Sequence, residues 1–328
     1  MTNYVASPTD PFFHQLESEK LQRWELSQPY AYWEYRHKWV EYPKNRTVDS
    51  FPIHLDIEAT NACNLKCIMC PRTEMVENGT FWSIEMFDFD KYKEIIDEGV
   101  AKGLCSVKYN YLGEPTLNPQ LTDMISYAKQ AGVLDTMLNT NATQLDEDLS
   151  RDLILIKLDK IFFSFDSPYR EKYNRIRVNS DYDKVLYNIR CFNEIREEMG
   201  SIKPFTRVSM VMMRDNKDDW DAFQQLFRPI VDSVSYGDFI NHIGQSKPEY
   251  SLVTDGKENF CCPLLWQRMF IHPDGVATVC CNDAMRSLKV GNVFEQSVES
   301  IWTGKEYQRL RELHATGRFR EIPTCANC

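Results

Sequence analysis

Short apolar runs alternate with amphipathic segments from residue 51 to about residue 240. Helical periodicity recurs near 88 to 101, 119 to 131, 146 to 157, 181 to 199 and 217 to 228. Between these helices lie six strand-like runs, each followed by a polar turn: Ile53 to Glu58, Val107 to Tyr111, Leu134 to Asn139, Lys160 to Asp166, Phe205 to Met213 and Ser233 to Ile240. Six β-then-α units predict a parallel sheet in an α/β fold, either a partial (β/α)6 TIM-like barrel or a doubly wound sheet. In both architectures the chemistry belongs at the carboxyl ends of the strands.

The two ends of the chain depart from this alternation. In residues 1–50, Tyr32, Tyr35, Trp39 and Tyr42 recur on one face of a helix. We expect an N-terminal helical extension, and we favour an aromatic cap on the barrel over a substrate-stacking face. The stretch 244–249 is typical of a linker, so 51–243 is expected to form the barrel and 244–328 a small second domain.

Composition and charge narrow the class of protein. The 328 residues carry a formal net charge of −10, which disfavours nucleic acid as a partner. Neither a signal sequence nor a run of about 18 apolar residues is present, so we expect a cytoplasmic protein without membrane contact. Eleven cysteines, an odd number, argue against a disulfide framework and favour metal or redox chemistry.

Three of these cysteines form a tight group directly after the first predicted strand. Cys63, Cys67 and Cys70 are spaced C-x3-C-x2-C, and no fourth cysteine or histidine lies nearby. Zinc sites normally use four ligands in separated pairs, whereas three thiolates suit an iron–sulfur cluster with one iron left open. The group therefore predicts an iron–sulfur centre at the carboxyl end of the first strand.

This run resembles the signature of radical S-adenosylmethionine (radical SAM) enzymes. The resemblance implies that Cys63, Cys67 and Cys70 hold a 4Fe-4S cluster whose open iron chelates SAM. It also implies that one electron cleaves SAM to methionine and a 5′-deoxyadenosyl radical. The family usually has an aromatic residue before the third cysteine to line the adenine, and Met69 occupies that place here.

Three further segments resemble family motifs at successive strand ends. Leu112-Gly113-Glu114-Pro115 is similar to the Gly-Gly-Glu-Pro turn that binds the SAM ammonium, with Leu112 in place of the first glycine. The segment 139–142 is similar to a Thr-Asn-Gly segment, and 164–167 to a ribose-contacting Ser-x-Asp turn. The SAM contacts implied by the resemblance are Gly113, Glu114, Asn141, Ser164 and Asp166.

The C-terminal cysteines resemble those of the SPASM/Twitch extension found in many radical SAM enzymes. The Asp274-Gly275 pair is a hairpin signal that would bring Cys262 and Cys280 to facing strand ends. The spacing is similar to that of the single-auxiliary-cluster cyclitol dehydrogenase type, which leaves Cys261 and Cys281 spare. The same four thiolates could instead hold a structural zinc ion. The implied ligands of a second, auxiliary 4Fe-4S cluster are Cys262, Cys280, Cys325 and Cys328.

These features predict hydrogen abstraction from a sugar, nucleotide sugar or amino-cyclitol, with oxidation of the substrate and the auxiliary cluster as electron acceptor. The resemblance implies a flavodoxin- or ferredoxin-type reductant. A base is needed for such an oxidation, and the candidates are His242, Asp238 and Arg72.

Three alternatives remain open. The first is a radical epimerase in which Cys261 returns a hydrogen atom. The second is a peptide-modifying SPASM enzyme, which ranks lower because residues 1–50 show no winged-helix pattern. The third is a non-catalytic zinc-binding module with the aromatic face around Trp39 as its platform.

Overall fold

Strands and helices alternate along the chain in the computed structural model, which describes residues 4–7, 10–16, 18–239, 250 and 260–326. The strands are β1 (Tyr4–Ser7), β2 (Asp10–Leu16), β3 (His54–Ile57), β4 (Lys66–Cys67), β5 (Ser106–Tyr109), β6 (Asp135–Thr140), β7 (Lys160–Ser164), β8 (Arg177–Val178), β9 (Phe205–Met212), β10 (Ser233–Asp238), β11 (Arg268–Ile271), β12 (Val276–Thr278) and β13 (Lys289–Asn292). The helices are α1 (Glu19–Leu26), α2 (Tyr30–Asn45), α3 (Pro71–Glu77), α4 (Phe89–Ala101), α5 (Leu121–Ala131), α6 (Glu147–Leu155), α7 (Arg170–Ile176), α8 (Tyr182–Glu198), α9 (Trp220–Phe227), α10 (Val298–Trp302), α11 (Lys305–Ala315) and α12 (Pro323–Ala326).

Six parallel strands form the predicted partial barrel. They pair in the order β3, β5, β6, β7, β9 and β10, and their described ends lie within two residues of the predicted ones. Along β3, Leu55 and Ile57 pack outward into the main hydrophobic core, whereas His54 and Asp56 alternate with them. The inner wall of the barrel therefore carries polar side chains.

The helices that cover the barrel begin where short polar residues cap them. The side chains of Asp88, Asp146 and Asp181 accept hydrogen bonds from backbone N–H groups in the first turns of α4, α6 and α8. The five predicted helices are present, and α7 is an additional short helix that the periodicity did not indicate. In the described part of the chain, no helix is long and apolar enough to cross a membrane.

The N-terminal extension closes the amino end of the barrel. Tyr32, Tyr35 and Trp39 of α2 are buried, and the Trp39 ring packs edge-on against His54 at a centroid distance of 5.4 Å. The cap is confirmed, and the idea that the face around Trp39 is a ligand platform is wrong because packing covers it. The extension is not wholly helical, since β2 pairs antiparallel with β10 and β1 with β2.

The C-terminal hairpin extends the opposite edge of the same sheet. Strand β11 pairs parallel with β3, and β12 and β13 continue antiparallel. The turn at Asp274-Gly275 is present, with Gly275 at φ +79°. The hairpin thus joins the barrel directly. The proposed linker at 244–249 lies outside the described residues, so that domain boundary stays a prediction.

Candidate active site

The Cys63, Cys67 and Cys70 group lies in the loop that follows β3, at the carboxyl end of the barrel. Local structure fixes two of the three cysteines. Cys67 lies in β4, which pairs with β8, and Cys70 precedes α3, whose first residue is Pro71. The Cys70 N–H donates to the Cys67 carbonyl at 3.1 Å, and all three thiols are free and partly buried.

The pKa values of all three thiols are shifted by their surroundings. Burial raises the pKa of Cys67 to about 12, with smaller contributions from the thiols of Cys70 and Cys63, while the charge of Arg177 opposes the increase. Burial likewise raises the pKa values of Cys63 and Cys70. Thiols in this state give up their protons when a metal centre binds them.

Arg177 lies beside this loop and fixes the position of Asp166. Its Nε is 2.7 Å from Asp166 Oδ2, and its NH1 group is 4.0 Å from Cys67 Sγ. The other Asp166 oxygen accepts a hydrogen bond from the Val211 N–H at 2.8 Å. The Asp166 carboxylate is fully buried and engaged in both contacts, and its predicted contact with the ribose stays a prediction. Ser164, at the end of β7, is partly exposed and is the other predicted ribose contact.

Glu114 connects the loops that follow β5 and β6. Its buried carboxylate accepts hydrogen bonds from the N–H and hydroxyl of Thr116, the hydroxyl of Thr140 at 2.7 Å and the N–H of Asn141 at 2.7 Å. Burial raises the pKa of Glu114, and these hydrogen bonds oppose the increase. The Asn141 amide in turn donates to Asn64 Oδ1 at 3.0 Å, next to Cys63. Glu114 therefore organises the predicted SAM-binding turns, in addition to its predicted contact with the ammonium.

Gly113 and Met69 occupy contrasting surroundings. A Cβ atom at Gly113 would lie 2.0 Å from the Thr60 carbonyl oxygen, so only glycine allows this close approach to the cysteine loop. Met69 packs in an apolar cluster with Ile176, Met213 and Phe239. Its predicted role of lining the adenine stays a prediction.

Three of the four predicted auxiliary ligands lie in the described C-terminal region. The Cys262 N–H donates to His314 Nδ1 at 3.2 Å, and the Asn282 N–H lies 3.3 Å from Cys280 Sγ, a contact typical of cluster-binding sulfur. Cys262, Cys280 and Cys325 pack against the same hydrophobic core. A hydrogen bond with Cys281 and burial raise the pKa of Cys280, and the nearby thiol of Cys262 contributes in the same direction. Cys328 lies outside the described residues.

The spare thiol chosen from the sequence is in the wrong place for a hydrogen donor. Cys261 is exposed and interacts with Arg46, at the end of α2 in the N-terminal extension. The extension closes the amino end of the barrel, away from the Cys63 loop. Cys281 is also exposed, and it follows Cys280, whose carbonyl lies 3.2 Å from the Tyr111 hydroxyl.

The three residues predicted as bases lie in different surroundings. Arg72 is buried, and its Nε donates to the Asn61 carbonyl at 2.8 Å. This contact gives Arg72 a structural role in the cysteine loop. Asp238 ends β10, with a side chain 24% exposed and an oxygen 3.7 Å from His14 Nε2. His242 lies outside the described residues.

A hydrogen-bond network that was not predicted from the sequence joins the two cysteine regions. Glu58 accepts from the Leu112 N–H at 3.0 Å and lies 2.7 Å from His272 Nδ1, while His272 Nε2 is 3.0 Å from the Thr278 hydroxyl. The Tyr111 hydroxyl lies within hydrogen-bond distance of the Cys280 and Asp283 carbonyls, at 3.2 and 2.9 Å. Glu58 and Tyr111 end predicted strands, and that position was the signal that could have identified them.

Solved structures with a similar fold include three that are bound to SAM or substrate. BtrN in complex with AdoMet and 2-DOIA matches with a TM-score of 0.58 and 15% identity, over 86% of this chain and 94% of BtrN. Streptococcus suis SuiB bound to the precursor peptide SuiA matches with a TM-score of 0.62 and 17% identity, over 87% and 72%. Native anSMEcpe with bound AdoMet matches with a TM-score of 0.62 and 14% identity, over 83% and 88%. At these identities the likeness shows the fold alone.

Relatives in sequence are distant. A tungsten-containing aldehyde ferredoxin oxidoreductase cofactor-modifying protein of Pyrococcus furiosus is 23% identical over 320 residues, covering 84% of this chain and 86% of the relative. The GTP 3′,8-cyclase of Syntrophomonas wolfei is 29% identical over 167 residues. The match covers 51% of this chain and 48% of the cyclase, so this chain spans about half the length of that relative.

Two family models account for most of the chain. Residues 57–227 match the radical SAM superfamily, and residues 261–328 match the SPASM iron–sulfur cluster-binding domain. Enzymes built this way bind SAM and a 4Fe-4S cluster in the barrel and further iron–sulfur in the C-terminal domain. The matched residues include both cysteine regions and the carboxyl ends of β3, β5, β6, β7 and β9, and the chain belongs to the radical SAM superfamily with a C-terminal SPASM domain.

Proposed function

We propose that the protein is a radical SAM dehydrogenase that oxidises an alcohol carbon of a sugar, nucleotide sugar or amino-cyclitol. Cys63, Cys67 and Cys70 hold the SAM-binding cluster. When bound, SAM and the two clusters supply a 5′-deoxyadenosyl radical, which takes the hydrogen atom, and an acceptor for the electron that then leaves the substrate. The auxiliary ligands are Cys262, Cys280, Cys325 and Cys328.

The contact of Tyr111 with the C-terminal cysteine segment carries this proposal. Tyr111 lies just before the Gly113 turn, and its hydroxyl lies within hydrogen-bond distance of the Cys280 carbonyl, at 3.2 Å. One side chain therefore separates the SAM-binding turn from the auxiliary cysteines. An electron acceptor held in this neighbouring segment favours a net oxidation over a redox-neutral reaction.

The surrounding side chains exclude water and receive the substrate proton. Met75, Leu112 and Ala284 form a buried apolar cluster between the cysteine loop and the C-terminal segment, with Phe81 and Trp82 packed against it. Oxidation of an alcohol removes a hydrogen atom from carbon, a proton from oxygen and one further electron. Asp238, at the end of β10, is the described candidate for the proton acceptor. A flavodoxin- or ferredoxin-type protein supplies the electron that starts each turnover.

A radical epimerase is the second candidate, and the position of Cys281 favours it. This exposed thiol is next to Cys280, whose carbonyl contacts Tyr111, and it could return a hydrogen atom to the opposite face of a substrate radical. Solvent deuterium separates the two reactions. An epimer that carries deuterium at the inverted carbon would establish the epimerase and exclude the dehydrogenase.

The test is a substrate search with anaerobically reconstituted protein, SAM and a chemical reductant. We expect one ketone product for each 5′-deoxyadenosine formed, with no solvent deuterium in the ketone. A Cys63/Cys67/Cys70→Ala variant is expected to form neither product. Cys191→Ala, which changes a cysteine of α8 on the outside of the barrel, is the matched control and should behave like wild type. SAM cleavage by the triple variant would refute the ligand assignment.

A further inference from the structure

Two asparagines lie side by side in the sheet register, just before the predicted SAM-binding turns. Strand β5 pairs in parallel with β6 through Tyr109 and Leu138, and Asn110 and Asn139 are the next residues along the two segments. Neighbouring strands of a sheet are about 4.8 Å apart, so successive positions of a parallel register stay adjacent. The sheet thus brings together two carboxamides from different β-then-α units.

The pattern of burial places both asparagines on the inner face of the barrel wall. Tyr109 and Leu138 are completely buried in the main hydrophobic core outside the strands. Successive side chains of a strand alternate between its two faces, so Asn110 and Asn139 belong to the opposite, inner face. Both are partly exposed, so solvent reaches this part of the barrel interior.

An apolar floor closes the interior below the two asparagines. Met137 and Phe162 form this floor together with Trp39 of α2. Lys108 is the register partner of Met137, and Asp56 lies opposite Lys108 on β3, so charges of both signs occur in the same layer. The asparagines follow two residues later on their strands, and they therefore form the first layer above the floor.

Neither carboxamide has a structural task within the described part of the chain. There, the buried amide oxygens of Asn110 and Asn139 have no hydrogen-bond partner, and their amide nitrogens donate to no other residue. Asn118 of the same barrel differs, because its amide nitrogen donates to the Ala59 carbonyl at 2.7 Å. A buried amide group without a partner costs free energy, which a bound hydroxyl recovers.

Both asparagines lie deeper in the barrel than the predicted SAM contacts of the same two segments. Asn110 precedes Gly113 and Glu114, and Asn139 precedes Asn141. The Glu114 carboxylate joins the two turns above the pair, since it accepts a hydrogen bond from the Asn141 N–H at 2.7 Å. A molecule held by the two carboxamides therefore lies between the apolar floor and the predicted SAM site.

We propose that the carboxamides of Asn110 and Asn139 bind two hydroxyl groups on neighbouring carbons of the substrate. A carboxamide presents a donor and an acceptor in one plane, and a hydroxyl group pairs with either. Two carboxamides side by side fit a ring that carries neighbouring hydroxyls and discriminate against a ring that carries only one. This inference rests on the proposed function and narrows its substrate to a polyol that is recognised through its hydroxyls.

Direct binding of neutral polyols tests the site without knowledge of the substrate. Saturation-transfer NMR on anaerobic, cluster-loaded protein would use myo-inositol, scyllo-inositol and glucose, with cyclohexanol as the ring that has a single hydroxyl. We expect saturable binding of at least one polyol to wild type, and affinity about three- to tenfold weaker in Asn110→Leu and in Asn139→Leu, since each removes one hydrogen-bonding group. Asn45→Leu, at the exposed end of α2, is the matched control and should bind like wild type. Asn110→Ala and Asn139→Ala replace the leucine variants if iron content shows that those lose their clusters.

Three results would overturn the polyol site. They are no saturable binding of any of the polyols to wild type, cyclohexanol binding as tightly as the polyols, or equal polyol affinity in wild type and in both asparagine variants. SAM affinity is measured in parallel, because the ribose of SAM also carries neighbouring hydroxyls. A loss of SAM affinity with unchanged polyol binding would assign the asparagines to that ribose and likewise overturn the proposal. If wild type binds a polyol but cleaves no SAM, the proposed function fails while the polyol site stands.

Discussion

At the scale of the residue, the absence of a Cβ atom at Gly113 allows two loops of the site to meet. The turn that carries Glu114 lies against the cysteine loop, where the Glu114 N–H donates to the Ala62 carbonyl at 2.7 Å. A side chain at Gly113 would enter the van der Waals space of the Thr60 and Ala62 carbonyls, at 2.0 and 2.7 Å. The two loops could then no longer meet in this register.

We predict that Gly113→Ala weakens SAM binding at least tenfold, because the turn must move away from the cysteine loop. Equilibrium dialysis with labelled SAM on cluster-loaded protein measures the effect. Gly103→Ala is the control, since Gly103 has a positive φ of +94° but nothing within 4 Å of the added Cβ. Wild-type SAM affinity in Gly113→Ala would contradict the importance of this contact.

Two ion pairs of similar chemistry should differ in their effect on stability. Arg177 pairs with Asp166 in the buried wall of the site, whereas Arg170 pairs with Asp183 on the surface. We predict that Arg177→Met lowers the free energy of unfolding by about 3–5 kcal/mol, because it leaves a buried carboxylate without its cation. Arg170→Met should cost no more than about 1 kcal/mol. Urea unfolding checks both, and equal effects would show that burial does not set the difference.

At the scale of the element, helix α2 packs over the amino end of the barrel and closes it. Tyr32, Tyr35 and Trp39 repeat along its inner face and pack edge-on against one another and against His54. The Lys160 ammonium of β7 lies over the Tyr32 ring, 5.0 Å from its centroid. Helical periodicity and aromatic content together explain why this segment packs on the barrel.

We predict that Trp39→Ala lowers the free energy of unfolding by about 3–5 kcal/mol, as is usual for the loss of a buried aromatic side chain. The control is Trp33→Ala in the same helix, because Trp33 is 42% exposed whereas Trp39 is 7% exposed. Urea unfolding again provides the measurement. If Trp39→Ala impaired substrate turnover while stability stayed unchanged, α2 would contact substrate after all.

At the scale of the whole molecule, residues far apart in sequence bring the two cysteine regions together. Strand β11 pairs with β3, so the C-terminal segment lies next to the strand that leads into the Cys63 loop. Glu58 and His272 meet across this pairing at 2.7 Å, although 214 positions separate them. The oxidation that we propose depends on this arrangement.

We predict that Tyr111→Phe uncouples SAM cleavage from substrate oxidation, because it frees the Cys280 and Asp283 carbonyls from their shared hydroxyl. The yield of ketone per 5′-deoxyadenosine should fall several-fold while SAM affinity is retained. Tyr109→Phe removes a buried hydroxyl two positions earlier, at the end of β5, where it contacts Tyr92, and is the matched control. An unchanged yield in Tyr111→Phe would contradict this role.

We predict that Cys262/Cys280/Cys325→Ala lowers iron from about eight to about four atoms per chain. SAM cleavage should continue, since the Cys63 loop is intact, while ketone formation should stop for lack of an electron acceptor. Iron and sulfide analysis, with zinc measured in parallel, checks the first part. Stoichiometric zinc in wild type and no change in iron would assign these cysteines to a structural zinc site.

The chain order of apolar and polar residues determined the six parallel strands, their helices and the positions of both cysteine groups. These features follow from local properties, namely strand and helix periodicity and the spacing of Cys63, Cys67 and Cys70. The aromatic repeat on α2 likewise indicated its buried face. The resemblance of segments at these strand ends to radical SAM motifs indicated the predicted SAM contacts.

Only the tertiary structure decided which side chains face one another. It placed Cys261 beside Arg46, and it buried Asp166 against Arg177. The network through Glu58 and His272 also depends on which strands are neighbours. Register and pairing between distant segments leave no local periodicity in a sequence, because the contacts form between residues whose separation along the chain is arbitrary.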